Sequence, residues 1–242
     1  MHWHDRYLFQ AGWTSELRSY LFEKVHLSDA HRVLEVGCGT GAILRDLSIT
    51  SPFGVDIEPA VLRECQQVVP SALLTCGNAL ALPYCDNAFT ITYCHFLLMW
   101  VRDPLKALQE MKRVTAHSGY VLALAEPDYN NRVDLPAGLA QLGAWQSAAL
   151  RGKGVAVDLG SRLSNLFQES GISILESGAL RSRQAGTFTA ADHHSEWQVL
   201  EADLAGTVPP SEMENLKRLD EEAWVRGERV LHVPTYFAWG QV

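Results

Sequence analysis

Arg32-Val33-Leu34-Glu35-Val36-Gly37-Cys38-Gly39-Thr40-Gly41-Ala42-Ile43-Leu44 is the stretch on which the reading of this chain turns. Its first half is a short apolar run of the kind that forms a buried parallel strand. Three glycines at alternate positions follow, and then an apolar-periodic segment (Ala42, Ile43, Leu47) that predicts a helix over 41–48. In a strand, glycine turn and helix, a nucleotide-like ligand can meet bare backbone and the N–H groups of a helix N-terminus. A tight strand-to-helix turn with no ligand has the same pattern.

Two cofactor classes fit the spacing. Gly37, Gly39 and Ala42 satisfy G-x-G-x-x-G/A. Asp56 lies about 20 residues on, at the end of the next expected strand, where an acid binds ribose hydroxyls. That reading gives a nicotinamide or flavin enzyme. Glu35 points the other way. A carboxylate inside the strand is expensive to bury unless a cation or hydrogen-bond donor meets it, and a nearby pyrophosphate adds like-charge repulsion. S-adenosylmethionine carries an ammonium and a sulfonium and no phosphate, so Glu35 favours it.

Val33-Leu34-Glu35-Val36-Gly37-Cys38-Gly39-Thr40-Gly41 resembles the first motif of the class I S-adenosylmethionine-dependent methyltransferases. Later segments match in order. Gly54-Val55-Asp56-Ile57-Glu58 resembles the family's ribose-binding strand end, and Gly77-Asn78-Ala79-Leu80-Ala81-Leu82-Pro83-Tyr84 its adenine-side loop. Asp86-Asn87-Ala88-Phe89 resembles the lead into the fourth strand. Asp103-Pro104, Arg113-Val114 and Ser118-Gly119-Tyr120-Val121 resemble the helix and fifth strand beyond. The resemblance covers residues 30–126 and is nearest the small-molecule group that includes ubiquinone and menaquinone methyltransferases. Thr90, where the family often has Asp, and Thr115-Ala116-His117, where Leu-Lys-Pro is usual, depart from that group's pattern.

The wider composition agrees with such an enzyme. The 242 residues are 47% hydrophobic and 20% charged, enough for one large domain with a well-buried core. A net charge of −8 with no Lys/Arg cluster argues against a nucleic-acid partner. No apolar run approaches a membrane span and no secretory segment precedes the fold, which predicts a cytoplasmic protein. Cys38, Cys65, Cys76, Cys85 and Cys94 lack paired spacing and read as reduced, mostly buried thiols.

Residues 1–29 form an expected N-terminal helical segment, with Leu17, Tyr20, Leu21 and Val25 at helical spacing over Ser15 to Lys24. In the family this segment often folds over the cofactor's methionine end, which would involve Tyr7, Trp13 and Thr14; aromatic residues packing the helix onto the sheet is the alternative. His2 and His4 read as disordered residues rather than a metal pair. Over 30–126 alternating strands (32–37, 51–56, 72–76, 89–94, 119–126) and helices (41–48, 59–68, 104–115) predict a parallel sheet covered on both faces. Asp103 and Pro104 are the N-cap and first position of the last helix.

Ligands bind at the carboxyl ends of such strands, which gathers Glu35, Gly37, Cys38, Gly39, Asp56, Asn78 and Cys94-His95 into one crevice. Asp56 would accept hydrogen bonds from the ribose diol, Ile57 would lie against adenine, and Asn78 with Ala79 would meet the adenine edge. An ordinary Gly-Asn turn explains Asn78 equally. His95 stands beside the expected methyl position as a base, a substrate contact or a loop histidine, and no catalytic residue is assigned.

Residues 127–242 make up the substrate side: helices around 135–151 and 159–170, the latter stopped by Gly171, then a sixth strand over Ile172–Ser177. A helical insertion spans 188–227, its second helix started by a Ser211/Glu214 capping box. Val233–Gly240 reads as a closing edge strand, which the resemblance places antiparallel between the fifth and sixth strands' side of the sheet, in a seven-stranded, mostly parallel Rossmann-like fold. Trp145, Trp197, Trp224 and Tyr236 either line an acceptor pocket or pack the insertion, and His193-His194 lack further ligands at metal spacing. The expectation is a single methyltransferase domain, residues 1–242, using S-adenosyl-L-methionine on a small-molecule acceptor, with no metal. The alternatives are an RNA or protein methyltransferase, a noncatalytic cofactor-binding module and, more distantly, a dinucleotide oxidoreductase. No oligomeric state follows from the sequence.

Overall fold

The computed structural model describes residues 3–180 and 189–242. The N-terminal segment is a helical hairpin, α1 (Trp3–Trp13) and α2 (Ser15–Lys24). The core follows as β1 (Val33–Val36), β2 (Phe53–Asp56), α3 (Pro59–Val68), β3 (Leu73–Cys76), β4 (Phe89–Cys94), α4 (Pro104–Val114) and β5 (Thr115–Pro127). Beyond it come β6 (Val133–Leu135), α5 (Ala140–Gly152), α6 (Leu159–Glu169) and β7 (Ser173–Ala179). The chain ends with α7 (Ala190–Asp203), α8 (Pro210–Val225), β8 (Val230–His232) and β9 (Thr235–Gln241).

Seven strands form one sheet in the order β3-β2-β1-β4-β5-β9-β7, and only β9 runs against its neighbours. The order reverses between β1 and β4, so the carboxyl ends of those two strands open the crevice in which ligands of such sheets bind. Both faces are covered, which is why Val121, Leu122, Ala123, Leu124 and Ala125 of β5 form an unbroken apolar run with each residue fully buried. One face packs on α4 and α6 through Leu108, Met111, Leu163 and Phe167. The other packs on α2 and α3 through Leu21, Leu62 and Cys65. Each fully buried Leu or Met stabilises the fold by about 1.5–3 kcal/mol.

Helix α4 begins as its sequence dictates: the Asp103 carboxylate accepts the Lys106 N–H at 2.9 Å and Pro104 occupies the first turn. Helix α6 stops at Gly171, whose φ of +75° only glycine adopts cheaply.

Several expectations are corrected. The helix over 41–48 does not form; the chain makes one 3-10 turn, Leu44–Asp46, and leaves it extended at Leu47. The segment Ser48-Ile49-Thr50-Ser51-Pro52 holds poor helix formers and ends in proline, so nothing propagates the turn. His4 is ordered within α1, with Nδ1 2.8 Å from Thr40 Oγ1, while His2 lies outside the described residues. The helix expected from 135 starts at Ala140, after β6 and a 3-10 turn at Ala137–Leu139. Helix α8 starts at Pro210, with Pro209 as its N-cap and no side-chain cap, so the Ser211/Glu214 pair sits inside the first turn. The last strand is not an edge: β9 lies antiparallel between β5 and β7, where the resemblance places it, and β7 is the edge. The insertion is confirmed as α7 and α8 before the last strand, although the short β8 intervenes and pairs with β6 in a separate ribbon.

Candidate functional site

The glycine turn is held by the neighbouring strand. Gly37 N and Cys38 N both donate to Val55 O, at 2.8 and 3.1 Å. Gly39 has φ +50°, and a Cβ there would meet only the Tyr7 ring, at 3.8 Å. The backbone above Gly39 is therefore bare and approachable, roofed by one aromatic ring from α1. Gly41 serves packing instead: a Cβ would stand 2.8 Å from Cys65 Sγ of α3.

Asp56 ends β2 beside this turn. Its Oδ2 accepts the Gly39 N–H at 2.9 Å and its Oδ1 the Glu58 N–H at 3.0 Å. The carboxylate is thus oriented by two backbone donors, with lone pairs remaining for a ligand. Ile57 follows, 68% exposed, a large apolar side chain at the rim. Asn78 Oδ1 accepts the Leu80 N–H at 2.9 Å and Asn78 O accepts from Ala81, so it shapes a turn. Ala79 packs half-buried against the sheet core.

Glu35 is 2% exposed within β1. Burial pushes its carboxyl well above the usual carboxylate range, opposed by the Tyr93 hydroxyl, which donates to Oε2 at 3.0 Å, and by the charge of Arg18. Arg18 donates to Thr14 Oγ1 at 2.6 Å, to Ala11 O, and to Asp46 at 2.8 Å. The Cys38 thiol hydrogen-bonds with Cys65, and this contact together with burial holds it protonated. Cys94 is fully buried in the core, where burial raises its thiol, so its side chain does not open onto the crevice. All five cysteines are free, with Cys76 and Cys85 exposed.

His95 leaves β4 under the helical hairpin, its Nε2 2.9 Å from Thr14 Oγ1. Burial, reinforced by Arg18, lowers it to about 3, so the imidazole is neutral near pH 7. The strand ends thus bring Gly37, Cys38, Gly39, Asp56, Ile57 and His95 to one crevice, with Tyr7, Thr14 and Arg18 closing it from the N-terminal hairpin.

Sequence reasoning missed Glu126. Fully buried at the end of β5, it accepts backbone N–H groups from Leu97, Leu98 and Met99 at 3.0, 2.8 and 3.2 Å. It anchors the loop that carries His95. A single acid directly after the apolar run over 121–125 was the available signal. Arg18 was missed as well, because its partners come from α1 and the turn after Gly41.

The insertion is fastened by buried charge. Arg132 binds Asp134 at 2.7 Å and Glu196 of α7 at 2.9 Å, and Arg229 joins Asp134, at 2.7 Å, to Asp220 of α8. Trp197 donates to Asp220 at 2.8 Å and is buried with Leu139, Leu142 and Leu200. Trp145 packs on the same cluster and Tyr236 on the sheet core. His193 lies 2.8 Å from Asp220 and stacks on Trp224. The tryptophans pack the insertion, and among the described residues no group of His, Cys, Asp and Glu has a metal-binding arrangement. Among those residues, too, no helix is long and apolar enough to cross a membrane.

Residues 34–123 match the family described as Methyltransferase domain. A malonyl-[acyl-carrier protein] O-methyltransferase of Halorhodospira halophila is 32% identical over 127 residues, 49% of this chain and 43% of that protein. An uncharacterized methyltransferase of Schizosaccharomyces pombe is 33% identical over 118 residues, 43% of this chain and 42% of that protein. The chain therefore spans less than half the length of these curated relatives. Among solved structures, a methyltransferase assigned to an antibiotic biosynthesis pathway in Anabaena variabilis superposes with a TM-score of 0.67 at 14% identity, over 94% of this chain and 97% of that one. The [4+2]-cyclase SpnF superposes at 0.60 with 21% identity, over 93% and 80%. At these identities the structural likeness speaks to fold alone.

Proposed function

We propose that this chain, a class I S-adenosylmethionine-dependent methyltransferase in its residues 34–123, transfers the cofactor's methyl group to a small-molecule acceptor. The observation that carries the reading is the pairing of an oriented carboxylate with open backbone: Asp56 held by Gly39 N–H, and a Gly39 on which an added Cβ would meet only the Tyr7 ring. The residues present fit the cofactor. Asp56 would accept from its ribose hydroxyls, exposed Ile57 would cover the adenine face, and Asn78 with Ala79 would border the adenine edge. Glu35, Gly37, Cys38 and Gly39 would surround its methionine end beneath Tyr7.

When bound, S-adenosylmethionine supplies a sulfonium methyl already activated for displacement. The chain's task is to align the acceptor and exclude water. His95 would orient rather than take protons, since it is held neutral and engaged by Thr14. Helix α7, tied to α1 through Arg6 and Ser195 at 2.7 Å, would wall the acceptor side, with α7 and α8 as the cover of the site. The five free thiols and the acidic charge suit a cytoplasmic enzyme that avoids polyanions.

Incubation with methyl-labelled cofactor and pooled small molecules, beside parallel samples of transfer RNA and of acyl-carrier protein, tests this. Label should enter the small-molecule fraction. Label confined to either macromolecule would overturn the acceptor class, carrier protein being the kind of acceptor named for the Halorhodospira relative.

A further inference from the structure

We propose that Arg6 and Trp13 of α1 form a recognition site for a carboxylate on the methyl acceptor. The proposal rests on the methyltransferase reading above and adds the chemical class of the acceptor.

Helix α1 has two working faces. One carries Tyr7 and His4 onto the glycine turn, with the Tyr7 ring over Gly39 and His4 beside Thr40. The other carries Arg6, which reaches α7, with Phe9 and Trp13 packed around it. The Arg6 guanidinium lies 5.0 Å from the Trp13 ring centroid and 5.9 Å from that of Phe9. Arg6 is 6% exposed; it donates to Ser195 Oγ of α7 at 2.7 Å and lies 3.8 Å from Glu196. Glu196 is committed more closely to Arg132, at 2.9 Å.

Two donors at this place lack any partner: Arg6 Nε and Trp13 Nε1 are both buried with no hydrogen bond. A buried unsatisfied donor costs about 1–3 kcal/mol, more for a charged group, and native proteins rarely tolerate two side by side. Their position supplies the reason. Arg6 reaches α7 at Ser195 and Glu196, lies over the Trp13 ring, and its charge acts on Tyr129, just past the end of β5. A ligand entering there is the acceptor, not the adenosine. A cationic N–H and an indole N–H, walled by two aromatic rings, match an anionic oxygen group attached to an apolar body. A carboxylate can accept from both donors and also neutralises the Arg6 charge, whereas an amide or alcohol oxygen accepts without that ion-pair attraction.

The test uses the full chain saturated with S-adenosylhomocysteine and titrated calorimetrically with benzoate and octanoate, each beside its primary amide. At least one carboxylate should bind tenfold or more tighter than its amide. Arg6→Met should erase that preference while S-adenosylhomocysteine affinity stays within twofold, and Trp13→Phe, which keeps the wall and removes the donor, should weaken the carboxylate about threefold. If Arg6→Met does not fold, Trp13→Phe carries the comparison. Absence of any carboxylate preference, its survival in both variants, or a tenfold loss of S-adenosylhomocysteine affinity in a folded Arg6→Met protein would each overturn the proposal, the last by making Arg6 a cofactor group. Failure of the wild-type chain to bind S-adenosylhomocysteine at all would instead refute the methyltransferase reading, leaving a carboxylate preference of the free protein to be measured in the same way.

Discussion

Asp56 accepts the Gly39 N–H at 2.9 Å, a bond that spans the ends of two adjacent strands and sets the glycine turn against the acid that would hold the ribose. One carboxylate therefore serves the turn and the ligand together. Its loss reaches further than a surface contact would.

Replacing Asp56 by alanine should weaken S-adenosylhomocysteine binding at least tenfold. The ribose would lose two charge-assisted bonds of about 1.5–3 kcal/mol each, and the turn its anchor. Calorimetry on the wild type and on Asp56→Ala measures this, with NAD as the control that should bind neither. Unchanged affinity for S-adenosylhomocysteine would remove Asp56 from the site, and tighter binding of NAD would reinstate the dinucleotide reading.

The buried Glu126 makes stability depend on pH. Burial raises its carboxyl from 4.5 to about 7, against the pull of three backbone donors. Below pH 4.5 the acid is neutral whether the chain is folded or not. Between 4.5 and 7 the unfolded chain loses the proton first, so stability falls as pH rises, by about 3 kcal/mol in all. His95, lowered to about 3, gives the opposite slope between 3 and 6.5, so the informative quantity is a difference between proteins. Urea unfolding of the wild type minus that of Glu126→Gln should decline across pH 4.5–7 and flatten above. A level difference curve would show that Glu126 ionises freely in the fold.

Asp134 is the acid shared by two buried guanidiniums, Arg132 and Arg229. Asp134→Ala should cost about 3–5 kcal/mol, because it leaves buried positive charge short of a partner. Pairing Arg132→Met with Asp134→Leu should recover part of that loss by removing charge on both sides. Urea denaturation followed by tryptophan fluorescence, to which Trp197 beside this network contributes, reads both variants. A loss under 1 kcal/mol for Asp134→Ala would mean that apolar packing alone holds α7 and α8 to the sheet.

Much of this protein was legible in the chain because its determinants are local. The apolar runs of β1 and β5, the Asp103-Pro104 start of α4, the stop at Gly171 and the glycine turn each follow from a few consecutive residues whose backbone preferences do not depend on distant partners. The resemblance to class I methyltransferases, and the match of residues 34–123 to the Methyltransferase domain family, rest on the same ordered segments, Val33–Gly41 first among them. Tertiary structure alone decided the rest. The 41–48 segment has helical periodicity, yet it forms only one 3-10 turn, for want of helix formers after Leu47 and because the chain must re-enter the sheet at Phe53. The interior place of β9 rests on pairing with β5 and β7, more than fifty residues away, so the family resemblance anticipates it while no alternation within Thr235–Gln241 encodes it. Glu126, Arg18, Asp134 and Arg6 are ordinary charges in the sequence. Long-range burial makes each of them costly, so the position of its partner, or the lack of one, becomes the decisive fact about it.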